Sequence, residues 1–531
     1  MTDEINALLK NQTWLLVPPS SSQHVVGCKW IFRIKRKPDG TVERYKARLV
    51  AKGFHQQYGI DYGETFSPVI KPATIRTVLS IAVSRNWPLR QLDVKNAFSH
   101  STLQEDVYMT QPPGFIDPSR PNHVCKLLKS IYGLKQAPRV WFHRMSHFLL
   151  ATGFYLSKAD PSLFIFRRGS HTIFFLLYVD DIIITSDSES LLDQFIDTLS
   201  RAFDIKDLGP LHYFLGLQVT SQLDGLHINQ LKYAHDMLEK YGLLHSQPVS
   251  TPMTPKALLN LTDGSPLDNP TLFREIVGSL QYLTITRPDI AYAVNFISQF
   301  MSQPRTPHLV AAKRILRYVK GTIGHGLSFT PQRHPVTLTA YSDADWAGCP
   351  TSRRSQSGYL IYLGSNLVSW CSKKQPTVAR SSAESEYRAL AHACAETTWL
   401  ALLLSELGAN IQYPIVLYCD NLSATYMATN PVFHARTKHI ELDYHFVREK
   451  VAVGSHLVRF IPSVDQPADL LTKALHRHRH HILCSKLVSQ GLSSLQGGCW
   501  KDPVKTSIKQ KIPSQSNLSL IAYLIIYHKL Y

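Results

Sequence analysis

No CxxC pair and no regular cysteine spacing occur in this 531-residue chain, whose eight cysteines stand at 28, 125, 349, 371, 394, 419, 484 and 499. That excludes a zinc ribbon or knuckle and a disulfide framework. Reduced thiols in an intracellular protein, cytoplasmic or nuclear, are the expectation. Long apolar runs are missing too. The longest uncharged one near the C-terminus, residues 518–527, is too short to span a bilayer, so no membrane partner is expected. MTDEINALLKNQTW carries acids where a secretory leader needs a basic stretch and an apolar core. Acidic residues are scarce, 39 against 57 Lys and Arg, for a net charge of +18. Such an excess points to polyanions, nucleic acid ahead of acidic membrane. The 44% hydrophobic share suffices for real cores, and the length suits roughly two to four domains.

Among the few acids, two stand together in an apolar run. In FFLLYVDDIIIT, at 174–185, Asp180 and Asp181 are flanked by β-branched, aromatic and Leu residues. Each flank reads as a buried strand, with the acids at a hairpin tip. Like charges there cost stability unless a cation neutralises them. An isolated pair of this kind is more often an exposed turn. A third acid, Asp93 in QLDVKNAF, ends another apolar–polar alternation (Trp87, Leu89, Leu92, Val94) and shifts the balance. Hard cations such as Mg²⁺ take carboxylate oxygens and substrate phosphates. Two of them, roughly 3.5–4 Å apart, are a standard arrangement for in-line attack on a phosphate ester.

QLDVKNAF, SIYGLKQAPRVWF and LLYVDDIIIT, in that order, resemble the palm motifs of the reverse transcriptase of copia-type LTR retrotransposons. The resemblance runs from about residue 7 to about residue 473. It implies an α+β polymerase right hand of fingers, palm and start of thumb over 1–249, then a linker and helical connection region over 250–335. An α/β RNase H-like domain with a mixed five-stranded sheet would follow over 336–475, and a basic, poorly ordered tail over 476–531. Asp93, Asp180 and Asp181 become the implied metal ligands and catalytic groups of the polymerase.

KWIFRIKRKPDGTVERYKARLVAKGF alternates apolar and basic residues about Pro38-Asp39-Gly40, a hairpin signal. One face carries Lys29, Arg33, Lys35 and Lys37, followed by Arg44, Lys46, Arg48 and Lys52. By itself this is a solvated face. By the resemblance it belongs to the fingers, with Arg48 or Lys52 contacting the triphosphate. A helix over 73–85 has an apolar stripe of Ile75, Val78, Leu79 and Ala82. Phe98 is either a core ring or, as the resemblance implies, the bulky gate that rejects a ribose 2′-hydroxyl. SHSTLQED, at 99–106, departs from the family's LHGDLEEE-like text. Ser101 there replaces a Gly, and if that Gly needs φ > 0 the change costs about 1 kcal/mol or more. Lys135 and Gln136, with Arg139 ahead of a helix over 137–150, are implied to bind template and nucleotide. An amphipathic helix over 191–203, a turn resembling a primer grip, a thumb helix over 229–243 and a Pro/Ser/Thr-rich linker over 250–270 complete this half.

A second set of acids begins at Asp343, which ends an alternating strand in LTAYSDADWAG. Glu384 and Glu386 lie in the first turn of a long helix, Asp420 ends the strand of IVLYCDNLSA, and Asp469 falls near the start of a terminal helix. Each alone suits a cap or a helix dipole. The order strand Asp, helix Glu, strand Asp, helix Asp is that of RNase H-like nucleases. Asp343, Glu386, Asp420 and Asp469 are the set, with Glu384 as the alternative to Glu386. The loop IPSVDQP before Asp469 has no His, and His439 and His456 lie too far upstream, so none is nominated. LHRHRHH, with His476, His478, His480 and His481, reads as a basic solvated tail rather than a metal site.

The expected activity is RNA-directed DNA polymerisation from a primer with dNTPs, together with RNase H cleavage of RNA–DNA hybrids. Each active site would use two Mg²⁺, with Mn²⁺ as a substitute. RNA template, DNA primer and hybrid are the partners. Self-association, or element-encoded capsid and integrase supplied elsewhere, is a further expectation. The rival is an inactive relic that keeps the fold and binds nucleic acid without turnover.

Overall fold

The computed structural model describes residues 1–36, 41–255, 259–430 and 440–491. Lys37, the Pro38-Asp39-Gly40 turn, His439, part of the expected linker and the tail beyond 491 lie outside the described residues.

The first of two compact units comprises Met1–Lys71 with Trp87–Leu211. Its centre is a six-stranded sheet in the order Ile205–Pro210, Leu89–Val94, Asp181–Ser186, His171–Tyr178, Leu163–Arg168, Phe154–Leu156. Phe175, Leu177, Ile182 and Ile184 on one face join a core with Trp141, Met145 and Leu149 of the helix Ala137–Ala151 and Leu192, Phe195 and Leu199 of Glu189–Ala202. Phe174, Leu176 and Ile183 point the other way and are buried as well. Burial on both faces is why this stretch reads as a continuous apolar run rather than an alternation.

Cys28–Arg36 and Val42–Ala51 form a two-stranded antiparallel ribbon. Its register sets Arg33 opposite Lys46 and Ile31 opposite Arg48, so these cations share a face. Phe32, Ile34 and Tyr45 take the opposite face and are exposed. Ser101, buried, has φ −116 and ψ 123, an extended backbone open to any residue. The feared left-handed strain at the Gly-to-Ser departure is therefore absent there.

The second unit comprises Pro72–Asn86 with the chain from His212 on. Helices Leu231–Lys240, Pro270–Leu283, Ala291–Ser298 and Thr306–Gly321 pack into one apolar core. A sheet runs Tyr213–Phe214, Leu217–Gln222, Gly225–Asn229, His325–Phe329, Ser489–Gln490. A separate five-stranded sheet runs Asn366–Lys374, Gln356–Leu363, Val336–Asp345, Ile411–Cys419, His456–Phe460, antiparallel among the first three and parallel from there on. The helix Ser382–Glu406 packs on this sheet.

The compact division falls at Leu211, upstream of the boundary expected at 249. Strand pairing is the reason: Ile228 stands opposite Leu327, which ties the segment after 212 to the far end of the helical core. The tail expected to be poorly ordered from 476 is ordered in its described part. Arg477–Leu487 is a helix that buries His480, Leu483, Cys484 and Leu487, and the adjoining Ser489–Gln490 extends a sheet. The helix expected over 73–85 is Pro72–Ser84, but it is buried all round, from Ala73 to Ala82, and not along one stripe. Within its unit, Ser80 Oγ accepts a 2.8 Å hydrogen bond from Asn366, and Arg76 lies 3.7 Å over the Trp370 ring.

In the first unit, the YGLK turn depends on Gly133. Its φ is +93, and a Cβ there would lie 2.2 Å from the Ala51 carbonyl oxygen. Gly133→Ala should lower stability by about 1–3 kcal/mol or more, seen as a lower urea midpoint. Gly59→Ala, at φ +80 with open space around it, should cost only about 1 kcal/mol.

Candidate active sites

The register Tyr178 opposite Asp181 leaves Val179 and Asp180 as a two-residue turn. Asp181 in turn stands opposite Asp93 across the neighbouring ladder. Directly opposed residues project from the same face of a sheet, so two carboxylates meet there with Asp180 beside them. Burial pushes the Asp180 carboxyl above its ordinary range, and the Asp93 charge adds to this, while Arg48 and Lys46 oppose it. Lys206 stands on the other side of Asp93, across the edge strand. That lysine escaped the sequence analysis because only the register of an irregular edge strand brings it there.

The turn itself is held under strain. Val179 has φ +52, a conformation that a β-branched residue rarely takes. Two hydrogen bonds fix it. The indole Nε1 of Trp141, itself buried, donates to the Val179 carbonyl at 2.6 Å, and the Val94 N–H donates to the Asp180 carbonyl at 2.9 Å. Helix Ala137–Ala151 and strand Leu89–Val94 thus both grip the peptide that carries Asp180.

Of the two cations weighed as triphosphate contacts, Arg48 is the one whose charge acts on Asp180. Its guanidinium lies 4.6 Å over the Tyr132 ring, and Tyr132 meets Phe98 edge-on at 4.8 Å. Lys52 lies instead against Gly27, near Cys28. Phe98 is 6% exposed and belongs to the apolar core, and it also lines a crevice with Glu4, Asn96 and Tyr132. Tyr132 stands in the same SIYGLKQ stretch as Lys135 and Gln136, and a lone aromatic there carries no polar signal to mark it.

That pair, Lys135 and Gln136, is bonded to the 56–62 loop. Gln136 is fully buried, donating to the Asp61 carbonyl at 2.8 Å and accepting from Gln56 at 3.0 Å. Lys135 Nζ donates to the Gln56 carbonyl at 3.2 Å and to Tyr62 Oη at 3.1 Å. Both residues secure the 56–62 loop. Its amide is thereby satisfied on protein, as a buried amide must be.

In the second unit the parallel register sets Ser342 beside Cys419, so Asp343 and Asp420 leave neighbouring strand ends together. One carboxylate oxygen each from Asp343, Asp420 and Asp469 lie within 4.8 Å of one another, and Glu386 is likewise close to Asp420 and Cys419. Glu384 is turned away, bonded to Arg388 at 2.7 Å and to the Arg380 N–H at 2.7 Å. Lys473 Nζ bridges Asp469 at 2.6 Å and Asp343 at 3.2 Å, Thr472 Oγ1 donates to Asp343, and Arg479 pairs with Asp469 at 2.9 Å. The sequence stretch read as a solvated tail therefore supplies a cation to this cluster.

Burial pushes the Asp343 carboxyl up to about 6, against the pull of Lys473. Burial, then the Asp343 and Asp420 charges, pushes Glu386 up to about 9. The quartet is thus short of positive charge. An all-oxygen donor set in that condition fits a hard divalent cation.

Two outcomes follow from these geometries. Trp141→Phe leaves the Val179 carbonyl without its donor and should cost about 1–3 kcal/mol, read from chemical denaturation. Glu386 keeps its proton in the fold up to about 9 but loses it near 4.5 when unfolded. The native state then binds more protons across that window, so stability must fall as pH rises through it. Thermal unfolding in a chelator should show this decline, and a divalent cation should flatten it.

A family model described as reverse transcriptase (RNA-dependent DNA polymerase) matches residues 11–255. The chain is 52% identical to the retrovirus-related Pol polyprotein from transposon RE1 of Arabidopsis thaliana, over 92% of this chain and 33% of the relative. It is 41% identical to the corresponding polyprotein from transposon TNT 1-94 of Nicotiana tabacum, over 92% of this chain and 37% of the relative. The chain therefore spans about a third of the length of these curated relatives. It is also 31% identical to the putative transposon Ty5-1 protein YCL074W of Saccharomyces cerevisiae, over 56% of this chain and 97% of that protein. With its strand-end acids in the order those motifs require, the chain belongs to the reverse transcriptase family found in the Pol polyproteins of copia-type retrotransposons.

Proposed function

We propose that the first unit is the polymerase of this chain, extending a primer 3′-hydroxyl with dNTPs on an RNA template, and that the five-stranded domain cleaves RNA in the resulting hybrid. The observation that carries this is the presence, in one chain, of two separate carboxylate sets at strand ends, Asp93 with Asp180 and Asp181, and Asp343 with Glu386, Asp420 and Asp469. In this reading the six-stranded sheet is the palm, the basic ribbon belongs to the fingers, and Leu231–Lys240 opens the thumb.

Both acid sets suit Mg²⁺, through oxygen donors that repel one another in its absence. When bound, a pair of such ions would activate the attacking oxygen and stabilise the leaving one. The chain's own residues do the rest. Arg48, held over Tyr132, is placed to offset triphosphate charge beside Asp180. Phe98, braced edge-on by Tyr132, gives the crevice a rigid wall where a deoxyribose would rest. The cationic ribbon face of Arg33, Lys46 and Arg48 suits a phosphate backbone, which carries most sequence-independent affinity for nucleic acid. The relic reading drew on Ser101, and at φ −116 that residue fits without strain.

Primer extension on poly(rA)·oligo(dT) with Mg²⁺ and dTTP tests the first activity, and release of labelled RNA from a hybrid tests the second. Asp180→Asn should reduce extension at least roughly 100-fold and leave cleavage intact, whereas Asp343→Asn should do the reverse. A folded wild-type protein that binds the hybrid yet performs neither reaction would sink the proposal.

A further inference from the structure

Beside the acid quartet stands a large apolar side chain that the chemistry above does not use. Trp346 follows the strand Val336–Asp345, three residues after Asp343, and is 54% exposed. Among the described residues it is the one tryptophan that stands exposed, whereas Trp141 is fully buried. Leaving an indole in water forfeits one of the largest apolar burials a side chain offers. A ring kept outside in this way calls for something to pack on it.

The ring is also held in place. Its Nε1 donates to the Ala379 carbonyl at 3.1 Å, in the loop that leads into the helix Ser382–Glu406. Arg354 Nη1 ties the same two loops together, donating to the Pro376 carbonyl at 3.2 Å. The backbone beneath is fixed too: the Ala347 N–H donates to Ser355 Oγ at 2.9 Å, and the Gln375 N–H to the Ser355 carbonyl at 2.8 Å. The indole thus links the strand that carries Asp343 to the entry of the helix that carries Glu386. It spends its N–H on the protein and leaves half of its surface to solvent. An aromatic side chain restrained beforehand loses little freedom when a partner covers it.

Reach and charge decide what that partner is. Three residues of extended chain span at most about 10 Å, comparable with the groove widths of a duplex. A duplex with its cleaved phosphate at the acids therefore brings the neighbouring sugars to the ring. Each of the two joined loops presents an exposed arginine, Arg353 in one and Arg380 in the other, and these suit the phosphates alongside. We propose that Trp346 is a hybrid-binding residue of the nuclease site, packing on the minor-groove sugars next to the cleaved phosphate while Arg353 and Arg380 meet the backbones. This rests on the nuclease reading above. An A-form-like minor groove is wide and shallow, so it admits a flat ring, and contact with sugars leaves base sequence unread. In sequence, DADWAG shows only a ring beside acids; exposure is what separates a binding surface from a core residue.

The test uses the purified full chain and a fluorescein-labelled, blunt RNA–DNA hybrid, which offers no recessed primer end. Anisotropy with Ca²⁺ in place of Mg²⁺ gives Kd, and cleavage with Mg²⁺ gives kcat and KM. Trp346→Ala and Trp346→Leu should each raise Kd and KM at least about fivefold with kcat within about twofold, while Trp346→Phe, which keeps a ring, should stay within about twofold of wild type throughout. Tyr413→Ala removes a similarly exposed ring from the far end of the strand that leads to Asp420, and should leave all three constants unchanged. Circular dichroism confirms folding, and either truncation suffices if the other does not fold. An unchanged Kd in a folded truncation, a loss confined to kcat, a Trp346→Phe as weak as Trp346→Ala, or an equal loss in Tyr413→Ala would each overturn the proposal. A wild type that binds the hybrid without cutting it would count against the nuclease reading alone, and the Kd comparison would still decide for or against Trp346.

Discussion

Carboxylates forced together at the ends of strands set the terms for most of this molecule. In the first unit the pairing of Asp181 with Asp93 is a consequence of backbone register, so the two charges cannot separate without breaking the ladder. In the second, parallel pairing of neighbouring strands sends Asp343 and Asp420 out side by side. Around each set the protein has arranged cations. Arg48 and Lys206 flank one; Lys473 and Arg479 flank the other. These cations offset the repulsion only in part, as the raised Asp343 and Glu386 carboxyls show. A fold that keeps such a deficit is one poised for an external positive charge.

How the acids are held differs between the two places. The hairpin acids depend on a turn that its own sequence disfavours, with Val179 in a left-handed conformation and outside residues supplying the restraint. The second set depends on burial, with a helix, two strands and a terminal turn converging from four parts of the chain. Local strain fixes one set and long-range packing fixes the other. The first is sensitive to the residues that grip the turn, the second to anything that disturbs the sheet.

What could be read from sequence follows the same division. Asp93, Asp180 and Asp181 were legible because strand runs with acids at their ends are a short-range pattern. The acid quartet was legible through its order along the chain. The bonds of Gln136 to Gln56 and Asp61 were not legible, because they join residues some 75–80 apart in sequence. Lys206, Lys473 and Arg479 were missed since their partners lie across a ladder or around a turn, where sequence distance carries no information. The His-rich stretch read as solvated because its composition is polar; one face of the helix Arg477–Leu487 is nevertheless buried. Tertiary contact overrode composition there.

The helix Pro72–Ser84 is threaded out of the first unit and packed into the second, which the chain then leaves again before Asp93. Its ten consecutive buried residues, Ala73 to Ala82, include Arg76 and Ser80, whose partners Ile285, Asn366 and Trp370 lie some 200–300 residues downstream. The units are therefore interleaved rather than strung in series, and no single cut between them yields two self-sufficient pieces. A fragment stopping at Leu211 would keep Asp93, Asp180 and Asp181 yet carry a helix whose surroundings had been removed, and it would show that helix to solvent. Proteolytic maturation at such a point would have to leave both products associated. The second unit, in turn, takes a wall from a segment synthesised long before the rest of it, so its folding cannot be complete until segments far apart in synthesis have met.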